Sequence, residues 1–328
     1  MEYKAIRFVK RPETEITPDI FETVTLQTPE LADREYLVKQ THISLDPAMR
    51  TWMSEEPGYI EPVAIGDVMR CLGVGEVVES RNPDFPVGSR VAGVSGWAEY
   101  VLGGEDWQIV PPELPVEALM CVMNLPGLTA YVGLNVVARP VAGETIVISG
   151  AAGSVGSLVG QMAKAEGLRV IGVAGTDEKC QWLEEELGFD KAINYRSANL
   201  EAQLAAATPD GVDIYFENTG GPIQQLVFDC MNRFGRISVC GMISDYNRAT
   251  PAPGPSWVDI NLKALRVEGF VVVDHYDKAP QAVEMLTSLL QGGKLKYRAH
   301  TLHGLDSAIE GVNLLFSGEN KGKLLVAL

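Results

Sequence analysis

Six short apolar runs alternate with helical patterns between residues 145 and 273, and this alternation constrains the fold more than any other feature. The runs are TIVIS (145–149), RVIGVA (169–174), KAINY (191–195), VDIYFE (212–217), RISVCG (236–241) and VEGFVVV (267–273). Strands separated by helix-length segments cannot pair as hairpins. They pair in parallel instead, with helices on both faces, which predicts a doubly wound α/β sheet. Two of the helices read clearly. In SVGSLVGQMAKAEG, Val155, Leu158, Val159, Met162 and Ala163 recur at helical spacing and Gly167 marks the stop. Around PIQQLVFDCM, Pro222 suits a first turn while Ile223, Leu226, Val227 and Cys230 share a face.

The flanking sequence has another texture. Residues 1 to about 120 hold short β-rich runs (YKAIRFV, YLVKQTHI, GVGEVVES, SRVAG, WAEYVL) cut by Gly and Pro, which suits a strongly bent sheet or partial barrel. After a helix near 279–291, residues 294–328 show strand-like and turn-like stretches but no further βα unit. The expected division is therefore 1–120 with 294–328 in one domain and 121–293 in the other.

TIVIS runs into GAAGSVG and then a helix, the order of strand, tight turn and helix that a pyrophosphate site requires. Against the pattern GxGxxG the register is Ala151, Gly153, Gly156. Gly153 lets backbone approach the phosphates, Gly156 lets helix and strand pack closely, and the helix start offers unpaired N–H groups. The segment Ala152, Gly153, Ser154, Val155 and Gly156 is the expected phosphate cradle of a Rossmann dinucleotide site.

The second strand ends in Ala174 and Gly175, where NAD enzymes of this fold place an acid against the ribose hydroxyls. Asp177 and Glu178 follow Thr176, a plausible N-cap, and so fall in a helical first turn where carboxylates are ordinary. Lys179 is the unusual residue, because a cation there opposes the helix dipole by about a few tenths of a kcal/mol. Space at Gly175 plus Lys179 points to a 2'-phosphate, hence NADPH; a solvated surface lysine is the alternative. Tyr195, ending the third strand, suits the same adenosine end or the core.

Composition excludes several classes. A formal charge of -16 over 328 residues makes nucleic acid and anionic membrane poor partners. The apolar runs are short and MEYKAIRFVKRPE lacks the core of a signal peptide, so a cytoplasmic protein is expected. Cys71, Cys121, Cys180, Cys230 and Cys240 are odd in number and contain no CxxC pair, and His300 with His303 has no nearby thiol or acid, so no metal is assigned.

The chain resembles the zinc-free branch of the medium-chain dehydrogenase/reductase superfamily that holds prostaglandin reductases, curcumin reductase and plant alkenal double-bond reductases. The resemblance runs nearly the full length, through SLDPAMR (44–50), GVGEVVES (73–80), LPGLTAYVGL (125–134), ISGAAGSVGSLVGQMAK (148–164), AGTDEKCQWL (174–183), NYR (194–196), YFENTGG (215–221), GRISVCGMISDYN (235–247) and GENKGK (318–323). It implies a GroES-like partial barrel beside the Rossmann domain, and a homodimer in which VEGFVVV serves as a pairing edge. Zinc-dependent members bind metal through an early Cys and a Gly-His-Glu stretch; here no cysteine precedes Cys71 and the equivalent stretch reads Gly66-Asp67-Val68.

What the resemblance implies is NADPH-dependent reduction of the carbon–carbon double bond of an α,β-unsaturated ketone or aldehyde. Hydride goes to the β-carbon and the resulting enolate is stabilised by Tyr246, with the ribose hydroxyl. Gly153, Gly156, Gly175, Lys179 and Tyr195 match the family's phosphate and adenosine contacts, and Asn218, Cys240, Ser244 and Asn320 fall on cofactor-binding positions nearer the nicotinamide. Met49, Arg50 and Thr129 lie in motifs lining the substrate cleft, although Arg50 also suits pinning its own loop. The family's SxDPYMR has Tyr where this chain has Ala48. NRATPAPGPSWVDIN (247–261) reads as a loop whose Trp257 forms an apolar lid, and a bulky apolar enone is the expected substrate. Quinone reduction and a non-catalytic NADPH sensor are the alternatives.

Overall fold

The computed structural model describes every residue except Pro57. The chain divides into two compact units, Met1–Ala118 with Ala299–Leu328, and Leu119–Arg298.

In the first unit β1 (Glu2–Phe8) and β2 (Phe21–Gln27) form an antiparallel pair. The larger sheet is built from β3 (Tyr36–Leu45), β4 (Arg70–Ser80), β5 (Arg90–Gly96), β6 (Tyr100–Leu102) and β7 (Gln108–Ile109), completed by β14 (Ala299–His303) and β15 (Lys323–Ala327) from the chain's far end. Its order is β14-β15-β3-β4-β5-β7, with β6 also on β3. Register shifts between Leu37 and Val38 and between Gln40 and His42 interrupt the β3–β4 ladder, and such bulges bend a sheet. Trp97, Met49, Met69 and Phe8 fill the core under it.

The second unit is the doubly wound sheet. Its strands are β8 (Thr145–Ile148), β9 (Arg169–Ala174), β10 (Lys191–Asn194), β11 (Val212–Glu217), β12 (Met231–Val239) and β13 (Arg266–Gly269). All pair in parallel, in the order β10-β9-β8-β11-β12-β13. Every residue of β8 is buried, as expected for a central strand covered on both faces. The order reverses between β8 and β11, so chains leaving these neighbours go to opposite faces and open a crevice beyond their carboxyl ends.

Two boundaries differ from the sequence expectation. The run VEGFVVV leaves the sheet after Gly269; Val272–Lys278 winds into a tight helical turn. Phe270 and Val272 pack beside Leu128, Val132 and Ala282, and Phe270 meets the Phe216 ring edge-on at 6.5 Å. A short apolar run signals burial, and burial here is met by helix packing rather than by a ladder. In the second case, the loop expected over 247–261 gives way to a helix, Trp257–Leu262, with Ser256 as N-cap accepting from Val258 N–H at 3.1 Å. The stretch Val116–Ala138 is long and apolar enough to cross a membrane by length and composition, but 61% of its most apolar window is buried within the protein, which marks a core helix.

Candidate functional site

The glycine turn follows β8. Gly150 takes φ +58°, a conformation side chains rarely adopt, and Gly153 caps the helix Ser154–Ala165. Gly156 has no room for a side chain: a Cβ would lie 2.6 Å from Gly150 O and 2.8 Å from the Ala151 Cα. The turn thus lies directly against the first helical turn, whose N–H groups have no intrahelical acceptors. Ser154 adds a buried hydroxyl that finds no hydrogen-bond partner among the described residues. An unsatisfied donor at a helix start beside a side-chain-free cradle fits a bound phosphate.

Beyond β9 and β10 the second part of the site takes shape. Thr176 caps the helix Asp177–Glu185, its hydroxyl accepting from Lys179 N–H at 3.2 Å, so Lys179 does stand in the first turn and Asp177 and Glu178 are helical. Tyr195 is 44% exposed, which removes the core alternative. Its ring lies against Gly175, where a Cβ would meet it at 3.1 Å, and Arg196 stacks over the ring at 5.5 Å. Gly175 and Tyr195 therefore lie against each other at adjacent strand ends, with Lys179 in the first turn of the helix that follows Gly175.

At the reversal point itself, Ser149 and Asn218 directly follow β8 and β11. Asn218 donates its backbone N–H to Ser149 Oγ at 2.8 Å and its side-chain Nδ2–H to Ser149 O at 2.7 Å. That uses one of the amide's two N–H donors, and no hydrogen bond of Oδ1 is among these contacts. Gly220 and Gly221 hold φ near +70°, and the next loop is stitched to this turn by Ser244, whose N–H and Oγ both donate to Thr219 O at 2.9 and 2.6 Å. Ser244 thus serves the turn. Cys240 donates its N–H to Glu217 O at 2.9 Å. Tyr246 folds back on the end of β12: its hydroxyl oxygen accepts from Met242 N–H at 3.4 Å and sits 3.0 Å from where a Gly241 Cβ would be.

Glu217, Ser149 and Thr219 were missed by sequence reasoning; the one available signal was an acid ending the apolar run VDIYFE. Lys323 was missed as well. It is almost wholly buried, donates to Ser44 Oγ at 2.6 Å and pairs with Asp46, tying β15 to the SLDPAMR turn.

The remaining site expectations separate. Met49 is fully buried in the first unit's core and has no surface to offer a substrate. Arg50 donates from Nε to Thr14 O at 3.1 Å and from Nη2 to Pro12 O at 3.4 Å, so it pins residues 12–14. Thr129 bonds back to Leu125 O at 2.7 Å within its helix. Asn320 donates to Gly322 O at 2.8 Å, a turn-forming contact. Trp257 is 84% exposed at a helix start, which is not the posture of a lid closed over a pocket.

Cys71 lies fully inside β4, and burial, then the charge of Asp46, pushes its thiol well above the ordinary range, the opposite of what a metal-ligating thiolate needs. Among the described residues no three of His, Cys, Asp and Glu gather as a metal-binding group. Elemental analysis of the purified protein should find no stoichiometric zinc; one zinc per chain would overturn this reading of the donor set.

A glycine turn, a reversal-point crevice and an acid-free second strand together define a dinucleotide-binding α/β protein. Comparison with known proteins narrows the class. A profile described as the N-terminal domain of oxidoreductase matches residues 4–110, and one described as zinc-binding dehydrogenase matches 154–288. The 2-alkenal reductase (NADP(+)-dependent) of Nicotiana tabacum is 40% identical over 309 residues, 93% of this chain and 90% of its own. Prostaglandin reductase 1 of Bos taurus is 40% identical over 314 residues, 93% of each chain. The crystal structure of CurA in complex with NADPH from Vibrio vulnificus matches with a TM-score of 0.95 at 36% identity, covering 99% of this chain and 98% of that one. The chain belongs to the medium-chain dehydrogenase/reductase family, in the branch of the prostaglandin, curcumin and alkenal double-bond reductases.

Proposed function

We propose that the chain reduces the carbon–carbon double bond of α,β-unsaturated ketones and aldehydes with NADPH. It is an NADP-dependent oxidoreductase; the finer assignment rests on the reversal-point site, above all on the Tyr246 hydroxyl held at the end of β12. When bound, the cofactor supplies a hydride, the hard chemical step, and the protein supplies position and charge stabilisation.

We assign the roles as follows. Gly153, Ser154 and Gly156, with the N–H groups of the helix start, hold the pyrophosphate. Lys179 faces the 2'-phosphate and Tyr195 covers the adenosine end. Asn218 accepts from a hydroxyl through Oδ1. Tyr246 donates to the carbonyl oxygen as negative charge gathers there, so that the enolate forms against a prepared hydrogen bond. A proton then reaches the α-carbon.

The decisive assay follows loss of NADPH absorbance with an enone such as nonenone, with a quinone, and with no acceptor. Enone turnover well above quinone turnover supports the proposal. The reverse order would make the chain a quinone reductase, and NADPH binding without turnover would leave a sensor.

We also propose a homodimer. β13 is the outer strand of the doubly wound sheet, so one edge of its backbone has no partner strand. Beside it in sequence, the helix Trp257–Leu262 exposes Trp257, Val258 and Leu262. An open edge flanked by exposed apolar side chains suits a second copy related by a two-fold axis. Sedimentation at micromolar concentration should give twice the chain mass; a monomer would remove the proposal.

A further inference from the structure

Glu217 ends β11 with none of its surface exposed. A carboxylate taken wholly out of water requires donors for its oxygens. Oε1 accepts from Ser149 Oγ at 2.6 Å, Thr219 N–H at 2.7 Å, Gly220 N–H at 3.0 Å and the Thr219 hydroxyl at 3.4 Å, while Oε2 accepts from the Tyr215 hydroxyl at 2.7 Å. All five donors are neutral, so they satisfy the carboxylate without cancelling its charge. The Tyr215 hydroxyl is pushed well above its ordinary value and the Cys240 thiol up to about 12, each by burial first and then by Glu217.

A hydrogen-bonded polar side chain in this place would anchor the 218–220 turn equally well, and the turn does not itself need a full charge. The doubly wound fold offers a reason for one. Each half of the sheet takes one mononucleotide, and the two meet where strand order reverses. Gly175, Lys179 and Tyr195 claim the adenosine half on the β8-β9-β10 side. The nicotinamide half would then fall on the side of β11 and β12, the side on which Glu217 lies. A nicotinamide ring is neutral when reduced and carries one positive charge when oxidised, so a fixed buried anion on that side would act on the two forms unequally.

We propose that Glu217 biases the site toward the oxidised, cationic ring, and so lowers the cost of the positive charge that develops as hydride departs. This rests on the dinucleotide reading given above. Glu217 acts through its field, and its hydrogen bonds hold Ser149 and the 218–220 turn in register.

The test is equilibrium titration of NADP+ and NADPH, read as the ratio of their dissociation constants. Glu217→Gln keeps the size of the side chain and most of its acceptor bonds but removes the charge. It should weaken NADP+ relative to NADPH by roughly tenfold. Glu217→Asp keeps the charge on a shorter stem, so both affinities drop while their ratio stays at the wild-type value. Tyr215→Phe removes one donor and should leave the ratio unchanged. A Glu217→Gln protein that melts cooperatively and shows the wild-type ratio overturns the proposal. So does a shifted ratio in Glu217→Asp, which decides the matter alone if the Gln variant does not fold. Failure of the wild-type protein to bind either form would instead sink the dinucleotide reading itself.

Discussion

Tyr246→Phe is expected to lower enone turnover by about a hundredfold, the loss that follows removal of one prepared donor to a developing oxyanion. NADPH affinity should hold within about twofold, because the ring still packs in the same loop and only the hydroxyl is gone. Its oxygen accepts from Met242 N–H at the long distance of 3.4 Å, so that bond contributes little to the loop. Stopped-flow measurement of the hydride step beside a binding titration separates the two quantities. Unchanged turnover would assign the enolate to water or to another donor.

Lys179→Ala should raise the NADPH Michaelis constant between about tenfold and a hundredfold, the range for a charge-assisted contact with phosphate. NADH, which has no 2'-phosphate, should change little, so the preference between the two cofactors collapses. The helix itself should survive, because its cap uses the backbone N–H of residue 179 and not the side chain. Equal effects on both cofactors would remove Lys179 from the 2'-phosphate and shift attention to Arg196, the cation stacked on Tyr195.

How far each residue could be read from the sequence depends on whether its role is local. The glycine turn was legible because Gly153 and Gly156 answer to close approach within a dozen residues, although the positive φ of Gly150 came only with the structure. Thr176 and Lys179 were legible for a similar reason, as cap and first turn of one helix. Met49 and Trp257 were not. One is core and the other is exposed, and neither fact follows from the motif that contains it. Lys323 and Asp46 lie 277 residues apart, and no pattern within a window connects them.

The sequence by itself determined the order of strands and helices, the phosphate turn, the absence of an acid at Gly175 and the parallel sheet. All of these are set by hydrophobic period, chain sterics and short connections, which act over a few residues. Only the tertiary structure decided that VVV leaves the sheet, that the Asn218 amide bonds to Ser149, and that a carboxylate lies buried where the strand order reverses. Those outcomes depend on which distant backbone groups become neighbours once water is excluded, and burial then fixes each polar atom by the partners it finds.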